Sequence, residues 1–285
     1  LIHWDVDPNL LQLGPVRIRW YGLMFLMGFT IGYFIVKWMC KVEKKSFERL
    51  ENLLIYVVLG TAIGARLGHC LFYEPDYYLS HPIEIFKIWE GGLASHGGTV
   101  GVIFAIWLYA RKHPEFSFMW ILDHLSIPTA LIAGFIRIGN LMNSEILGRP
   151  ADLPWSFVFQ RIDQIPRHPA QLYESFTYIA LFLITITMYR RKPIRPPGLF
   201  FGIMLVWIFS WRIVWEMFKE NQESFEQGMT LNMGQLLSVP FIIAGIILII
   251  RARRIVAAGR PEELGGGEAK MSAGAAKRAR KKARG

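Results

Sequence analysis

Three arginines of this chain, Arg66, Arg137 and Arg212, fall inside stretches apolar enough to lie in a membrane. A charge at that depth costs at least ~2.5 kcal/mol on insertion scales, so each arginine needs a partner or a ligand. Two of them have polar company at helical spacing. Asn140 follows Arg137 by three residues and shares its face, Glu145 follows more loosely by five, and Glu216 follows Arg212 by four, one helical turn. A guanidinium is a rigid fork that matches two phosphate oxygens at once, and phosphates at this depth belong to phospholipid headgroups. Snorkelling or a structural ion pair accounts for one such arginine; three together point to a site for an anionic lipid. His96 stands in the run Gly91-Gly92-Leu93-Ala94-Ser95-His96-Gly97-Gly98. These glycines let the backbone bend and approach a ligand, and an imidazole there can accept a proton near neutral pH. The residues thus offer an anion clamp with a possible base.

Other chemistries find little support. There is no HxxxH or CxxC spacing, and the one HxxE match, His81 to Glu84, has Pro82 inside it, so neither a metal nor another cofactor is expected. Cys40 and Cys70 read as small apolar filler. They would lie at opposite ends of an up-down helix pair, which argues against a disulfide.

The elements that must position these groups are membrane helices. A chain of 285 residues with 53% hydrophobic side chains is too apolar for a soluble domain of this length. The net charge of +10 flanks the apolar segments or fills the last stretch instead of forming a basic face with interleaved aromatics, so no nucleic acid is expected. A spanning helix needs ~20 mostly apolar residues. Seven stretches answer to this: about 20–40, 51–73, 95–111, 120–142, 173–189, 198–218 and 235–250. The fold expected is an all-α integral membrane protein with about seven transmembrane helices, and no cleavable signal segment precedes the first span.

Positive charge sets the orientation. Lys37, Lys41, Lys44, Lys45 and Arg49 follow span one, Arg111 and Lys112 follow span three, and Arg190, Arg191, Lys192 and Arg195 follow span five, while eleven more basic residues lie from 251 onward. The alternate side holds Arg17, Arg19, Lys87, Arg149, Arg161, Arg167 and Lys219. The positive-inside rule then places the N-terminus outside and the C-terminus in the cytoplasm, with or without the tail in the count. On that topology the three arginines occupy the outward halves of their helices and can converge at one depth. Loops 74–94 and 143–172, rich in Pro, Asp, Tyr and Trp, are expected to form a small external cap. Residues 1–254 read as a polytopic catalytic domain. Residues 255–285, ending in AKRARKKARG, read as a disordered basic tail near anionic inner-leaflet lipid. No internal repeat is apparent.

At Arg137, Asn140, Asn143, Glu145 and Gly148 the sequence resembles the bacterial prolipoprotein diacylglyceryl transferase family, whose signature is Gly-Arg-x-x-Asn-(two residues)-Asn-x-Glu-(two residues)-Gly in outline. The resemblance takes in Trp20-Tyr21-Gly22-Leu23, Gly64-Ala65-Arg66-Leu67-Gly68, GGLASHGG around His96, RHPAQLYE from Arg167 to Glu174, Arg212 with Glu216, and MGQLLSVP from Met233 to Pro240, in family order from about 17 to 250. It implies transfer of the diacylglyceryl group of phosphatidylglycerol to the lipobox cysteine thiol of a prolipoprotein, with release of glycerol phosphate. It also implies a multi-pass protein of the bacterial inner membrane whose active site faces the outer leaflet. Arg137 is implied to contact phosphatidylglycerol, and Tyr21, His96, Asn140, Glu145, Gly148, Arg212 and Glu216 carry essential roles by the same resemblance.

His96, Arg137, Glu145 and Arg212 are therefore the catalytic candidates, and Tyr21, Arg66, Asn140, Gly148 and Glu216 join Arg137 around the lipid. The residues leave the proton acceptor open between His96 and Glu145. No cysteine, serine or lysine here stands in a nucleophile motif, so transfer is expected to be direct. Three features depart from the family pattern: Ile136 replaces the first glycine, His69 stands where tyrosine is usual, and the basic tail is extra. Two other readings compete. One is a transporter or flippase for anionic lipid, because buried arginines and glycine-broken helices also mark translocation paths. The other is a non-catalytic scaffold, which leaves the polar cluster unexplained.

Overall fold

The computed structural model describes residues 1–14, 16–87, 91–192, 195–219 and 233–258. Its helices are α1 (Trp20–Val42), α2 (Phe47–Glu51), α3 (Leu53–Phe72), α4 (Pro75–Ser80), α5 (Ser95–Lys112), α6 (Phe118–Met142), α7 (Ala170–Arg191), α8 (Leu199–Glu216) and α9 (Met233–Ala257). Each of the seven expected spans is a helix. Among the described residues, six runs are long and apolar enough to cross a membrane: α1, Phe47–Phe72, α6, α7, α8 and α9. The stretch at 95–111 is helical as α5, but Ser95, His96, Gly97, Gly98 and Thr99 dilute its apolar character. The protein is a mostly helical membrane protein with six to seven candidate spans. The helix α9 carries on past 255 to Ala257, and the tail from 259 lies outside the described residues.

The chain divides into two compact units. One holds Leu1–Glu43 with the described residues from Leu122 onward; the other holds the described residues of Lys44–Ile121.

In the first unit, glycines let α1 approach α6 closely. A Cβ at Gly28 would lie 3.2 Å from the Ile132 Cα, and one at Gly32 would lie 3.3 Å from the Pro128 Cβ. The start of α8 is capped from a distance. Gly198 has φ +88°, a conformation that favours glycine, and offers no side chain of its own. Asp123 of α6 supplies the missing acceptor, taking the Gly198 N–H at 2.6 Å and the Phe201 N–H at 2.8 Å. Thr177 fastens α7 to α8 by accepting the Trp207 indole N–H on its carbonyl at 3.0 Å and the Trp215 indole N–H on its hydroxyl at 2.9 Å. Toward the other end, Met39, Ile127, Tyr189 and Phe200 form a buried apolar cluster. Beside it, Glu43 meets His124 Nε2 at 2.6 Å and accepts the Tyr189 hydroxyl at 2.8 Å.

Strands are what the sequence reading did not foresee. The segment β1 (Ile2–Trp4) pairs in parallel with β4 (Phe157–Phe159), which pairs antiparallel with β5 (Pro166–Arg167). A hairpin of β2 (Asn9–Leu13) and β3 (Val16–Arg19) leads into α1. The 143–172 stretch therefore forms a small sheet that recruits the N-terminal strand, packed through Phe157, Phe159 and Leu141. Segments of two to five residues carry too short an alternation to be read from sequence.

In the second unit, α3 and α5 meet backbone to backbone. A Cβ on Gly60 would lie 2.6 Å from the Gly101 carbonyl oxygen, and one on Gly68 would lie 2.7 Å from the Gly97 Cα. Gly64 faces the Gly97 carbonyl just as closely. Helices in lipid gain little from apolar burial against each other, so small residues that permit close packing decide where they associate.

Candidate active site

The last turns of α6 begin the site. Arg137 donates from Nη1 to Asn140 Oδ1 at 3.3 Å, and Asn140 Nδ2 donates to Glu145 Oε2 at 3.1 Å. Asn143 Nδ2 holds the other carboxylate oxygen at 3.0 Å. The spacing seen in the sequence thus becomes a hydrogen-bonded line from guanidinium to carboxylate. Glu145 joins it because the helix ends at Met142 and the chain turns sharply: Ser144 has φ +53° and Ile146 φ +56°. A β-branched residue in that region is strained, and such strain persists only where surrounding contacts over-determine the conformation. Part of the restraint is Gln171 of α7, whose Nε2 donates to the Glu145 carbonyl at 2.6 Å.

The remaining face of Arg137 is held by α7. Its Nε pairs with Glu174, which is 3% exposed, and Tyr178 follows one turn later on the same helix. Glu174 also pairs with Lys219 Nζ, just past the end of α8. Lys219 lies 3.5 Å from Glu216, which lies 3.6 Å from the Nε of Arg212. A continuous chain of alternating charge therefore links Arg137 to Arg212. The Arg212 side chain remains 45% exposed and that of Arg137 22%.

Glycines shape this end of the unit. Tyr21 lies on Gly139, where a Cβ would come 2.9 Å from its ring. Gly148 faces the His168 carbonyl so closely that no Cβ fits, and its own carbonyl accepts from Arg167 at 3.3 Å. Gly234, at the start of α9, leaves room for Glu216 and Arg212; a Cβ there would lie 3.0 Å from Glu216 Oε1. Its neighbour Gln235 donates to the Ile213 carbonyl at 3.0 Å and ties α9 to α8. Tyr21, Arg137, Asn140, Glu145, Gly148, Arg212 and Glu216 thus belong to one unit and crowd the same helix ends.

Arg66 and His96 belong to the other unit. Arg66 is buried and gives its guanidinium to backbone carbonyls: Ile85 at 2.9 Å, Gly91 at 2.7 Å, Gly92 at 3.3 Å and Glu84 at 2.6 Å, with its plane 5.0 Å over the Tyr78 ring. These bonds tie the segment after α4 to α3. In this arrangement Arg66 is occupied as a loop anchor, a use the sequence reading did not consider. His96 is exposed on the first turn of α5, and its side chain makes no hydrogen bond to any described residue. Beside it, α3 and α5 enclose a groove of about 350 Å³ lined by Thr61, Ala65, Ala94, Gly98 and Val102.

The model of the family described as prolipoprotein diacylglyceryl transferase matches residues 8–251. The chain belongs to the prolipoprotein diacylglyceryl transferase family. Relatives named phosphatidylglycerol–prolipoprotein diacylglyceryl transferase include one from Tolumonas auensis, 50% identical over 250 residues, covering 88% of this chain and 97% of the relative. Another, from Porphyromonas gingivalis, is 48% identical over 267 residues, covering 88% and 94%. A third, from Chloroherpeton thalassium, is 46% identical over 252 residues with the same coverage.

Within this family the departures at 69 and 136 gain a physical setting. His69 keeps an aromatic ring in place, stacked on Tyr73 at 5.5 Å and edge-on to Tyr78 at 6.0 Å. Ile136 is partly buried on α6. Sequence reasoning missed Glu174, Tyr178 and Lys219. Glu174 closes the RHPAQLYE stretch and was within sight; Lys219 looked like an ordinary loop cation.

Proposed function

We propose that this protein transfers the diacylglyceryl group of phosphatidylglycerol to the lipobox cysteine thiol of a prolipoprotein, with Arg137 and Arg212 holding the lipid phosphate. The observation that carries the reading is the pair of arginines, each with exposed side-chain surface, joined through Glu174, Lys219 and Glu216 in a chain that matches this family over most of its length. The substrate sulfur attacks the glyceryl carbon attached to phosphate. A C–S bond forms, the C–O bond breaks, and its electron pair leaves on the phosphate oxygen of glycerol phosphate. The phosphate gains charge as the bond breaks, so donors fixed in advance around it lower the barrier. In this reading the thiol proton goes to Glu145, supported by the hydrogen bonds through which Asn140 links that carboxylate to Arg137. His96, exposed on the first turn of α5, is the second acceptor. The thiol comes from the substrate; Cys40 and Cys70 are both buried.

By the distribution of Lys and Arg, the helix ends that carry Arg137, Glu174 and Arg212 face outward, at the outer leaflet of the bacterial inner membrane. The test is incubation of the purified protein with labelled phosphatidylglycerol and a lipobox peptide. Thioether-linked lipid on the peptide is the expected product, and lipid movement between leaflets with an unmodified peptide would mark a transporter instead.

A further inference from the structure

Lys219 is among the most buried cations of the described residues, its side chain 6% exposed between two carboxylates. We propose that Lys219 is a positioning residue that keeps Arg137 and Arg212 available to the lipid phosphate, an inference that rests on the phosphate-clamp reading above. Each arginine faces a carboxylate of its own, Glu174 for Arg137 and Glu216 for Arg212. Such a carboxylate is an internal rival, because it accepts from the same guanidinium donors that a phosphate needs. Lys219 Nζ draws on both rivals, paired with Glu174 and 3.5 Å from Glu216. With it, the chain Arg137, Glu174, Lys219, Glu216, Arg212 has an excess of one positive charge, which suits a phosphodiester's single negative one. Without it, two carboxylates cancel two guanidinium groups. Glu145 lies one asparagine away and adds a negative charge to both states until it takes the thiol proton, so the difference of one unit made by Lys219 persists: the site is neutral with it and carries one negative charge without it.

Lys219 acts through the carboxylates and not on the lipid, since it is far less exposed than either arginine. Its place is set by its backbone. It forms an antiparallel bridge with Gly148, and its carbonyl accepts from Arg149 Nε at 2.8 Å. Gly148 in turn has no room for a side chain against His168. A glycine in the signature loop therefore locates a cation that the signature does not contain.

The experiment is transfer to a lipobox peptide by the full chain in mixed micelles, followed against the mole fraction of phosphatidylglycerol. Lys219→Met should raise KM for the lipid at least tenfold while kcat changes less than threefold. Lys219→Arg, which keeps the charge, should stay within threefold of the wild-type KM. Lys219→Met combined with Glu174→Gln should return to that range, because the rival carboxylate goes with its counter-ion. A merely structural lysine predicts the opposite: KM unmoved, melting temperature lowered, and the double variant worse than the single. A smaller KM change in Lys219→Met, an Arg variant outside threefold, or a double variant without recovery overturns the proposal. Should Lys219→Met fail to accumulate, the Arg and double variants decide by the same threefold limit. The clamp reading has a separate arm in Arg137→Lys and Arg212→Lys. If those transfer normally the clamp itself falls; if they fail while Lys219→Met keeps its KM, only the positioning role falls.

Discussion

Arg137 is held from two sides, by a hydrogen bond to Asn140 and an ion pair with Glu174, and this restrains the plane of its guanidinium. Lysine at the same place would keep the charge and lose the fork. Arg137→Lys should therefore fold and yet lose on the order of 100-fold in transfer rate, the usual effect of removing one charge-stabilising donor from a water-poor site. Retention of more than about half the wild-type rate, under ~0.5 kcal/mol of barrier, would refute the clamp. The comparison is transfer rate against melting temperature for the same preparation. At this scale the sequence was informative where a contact is local. Arg137, Asn140 and Glu145 lie within one short segment, and Arg212 and Glu216 are one turn apart, so helical periodicity exposes them. Glu174 meets Arg137, and Lys219 meets Glu174, only because α6 and α8 end where α7 begins, and no periodicity encodes that. Arg66 shows the converse: an intramembrane arginine whose binding partners are the carbonyls of its own chain.

At the scale of elements, glycine has two uses that the sequence does not separate. Gly97 and Gly98 are neighbours in the run around His96, but a Cβ on Gly97 would strike the α3 backbone, whereas one on Gly98 would meet Ala65 Cβ at an ordinary 3.5 Å. Gly64→Val should accordingly separate α3 from α5 and destabilise by 1–3 kcal/mol or more, the range for overpacked sites. Gly98→Ala should be near neutral. Thermal unfolding of the two variants in one detergent checks the contrast, and equal melting temperatures would show that the helices part without cost. The small sheet is held by Arg167 donating to Asp163 at 2.6 Å. The Arg167 hydrogen bond holds the Asp163 carboxyl below its ordinary range. A depressed folded pKa means that this contribution is complete above the unfolded value of about 3.9 and is lost as pH falls through the lower folded value. Wild type should melt above Asp163→Asn at pH 6, and the gap should close as pH falls below the unfolded value and through the lower folded one. A gap independent of pH would assign the effect to packing.

For the whole molecule, the helices were legible because ~20 apolar residues in a row leave few alternatives. The strands were not, since a pairing such as Ile2 with Phe157 joins segments remote in the chain. Orientation rests on the charges between spans. In a background without Cys40 and Cys70, single cysteines at the exposed positions Leu79 and Ile162 should react with an impermeant thiol reagent on intact cells, and one at Lys44 should not. Reaction at Lys44 would invert the topology. Finally, the Asp123 carboxylate that closes the start of α8 belongs to α6, which leaves the ribosome 75 residues ahead of Gly198. A polypeptide made from its N-terminus therefore has this acceptor in place before α8 exists to need it. The first amide groups of α8 emerge at a membrane boundary where they would otherwise compete for water, and they find a waiting anion. Moving the carboxylate into α8 itself would make that helix self-sufficient, but it would also let α8 mature without consulting α6. As built, correct docking of an early helix is a condition for completing a later one, so the order of synthesis doubles as a check on assembly.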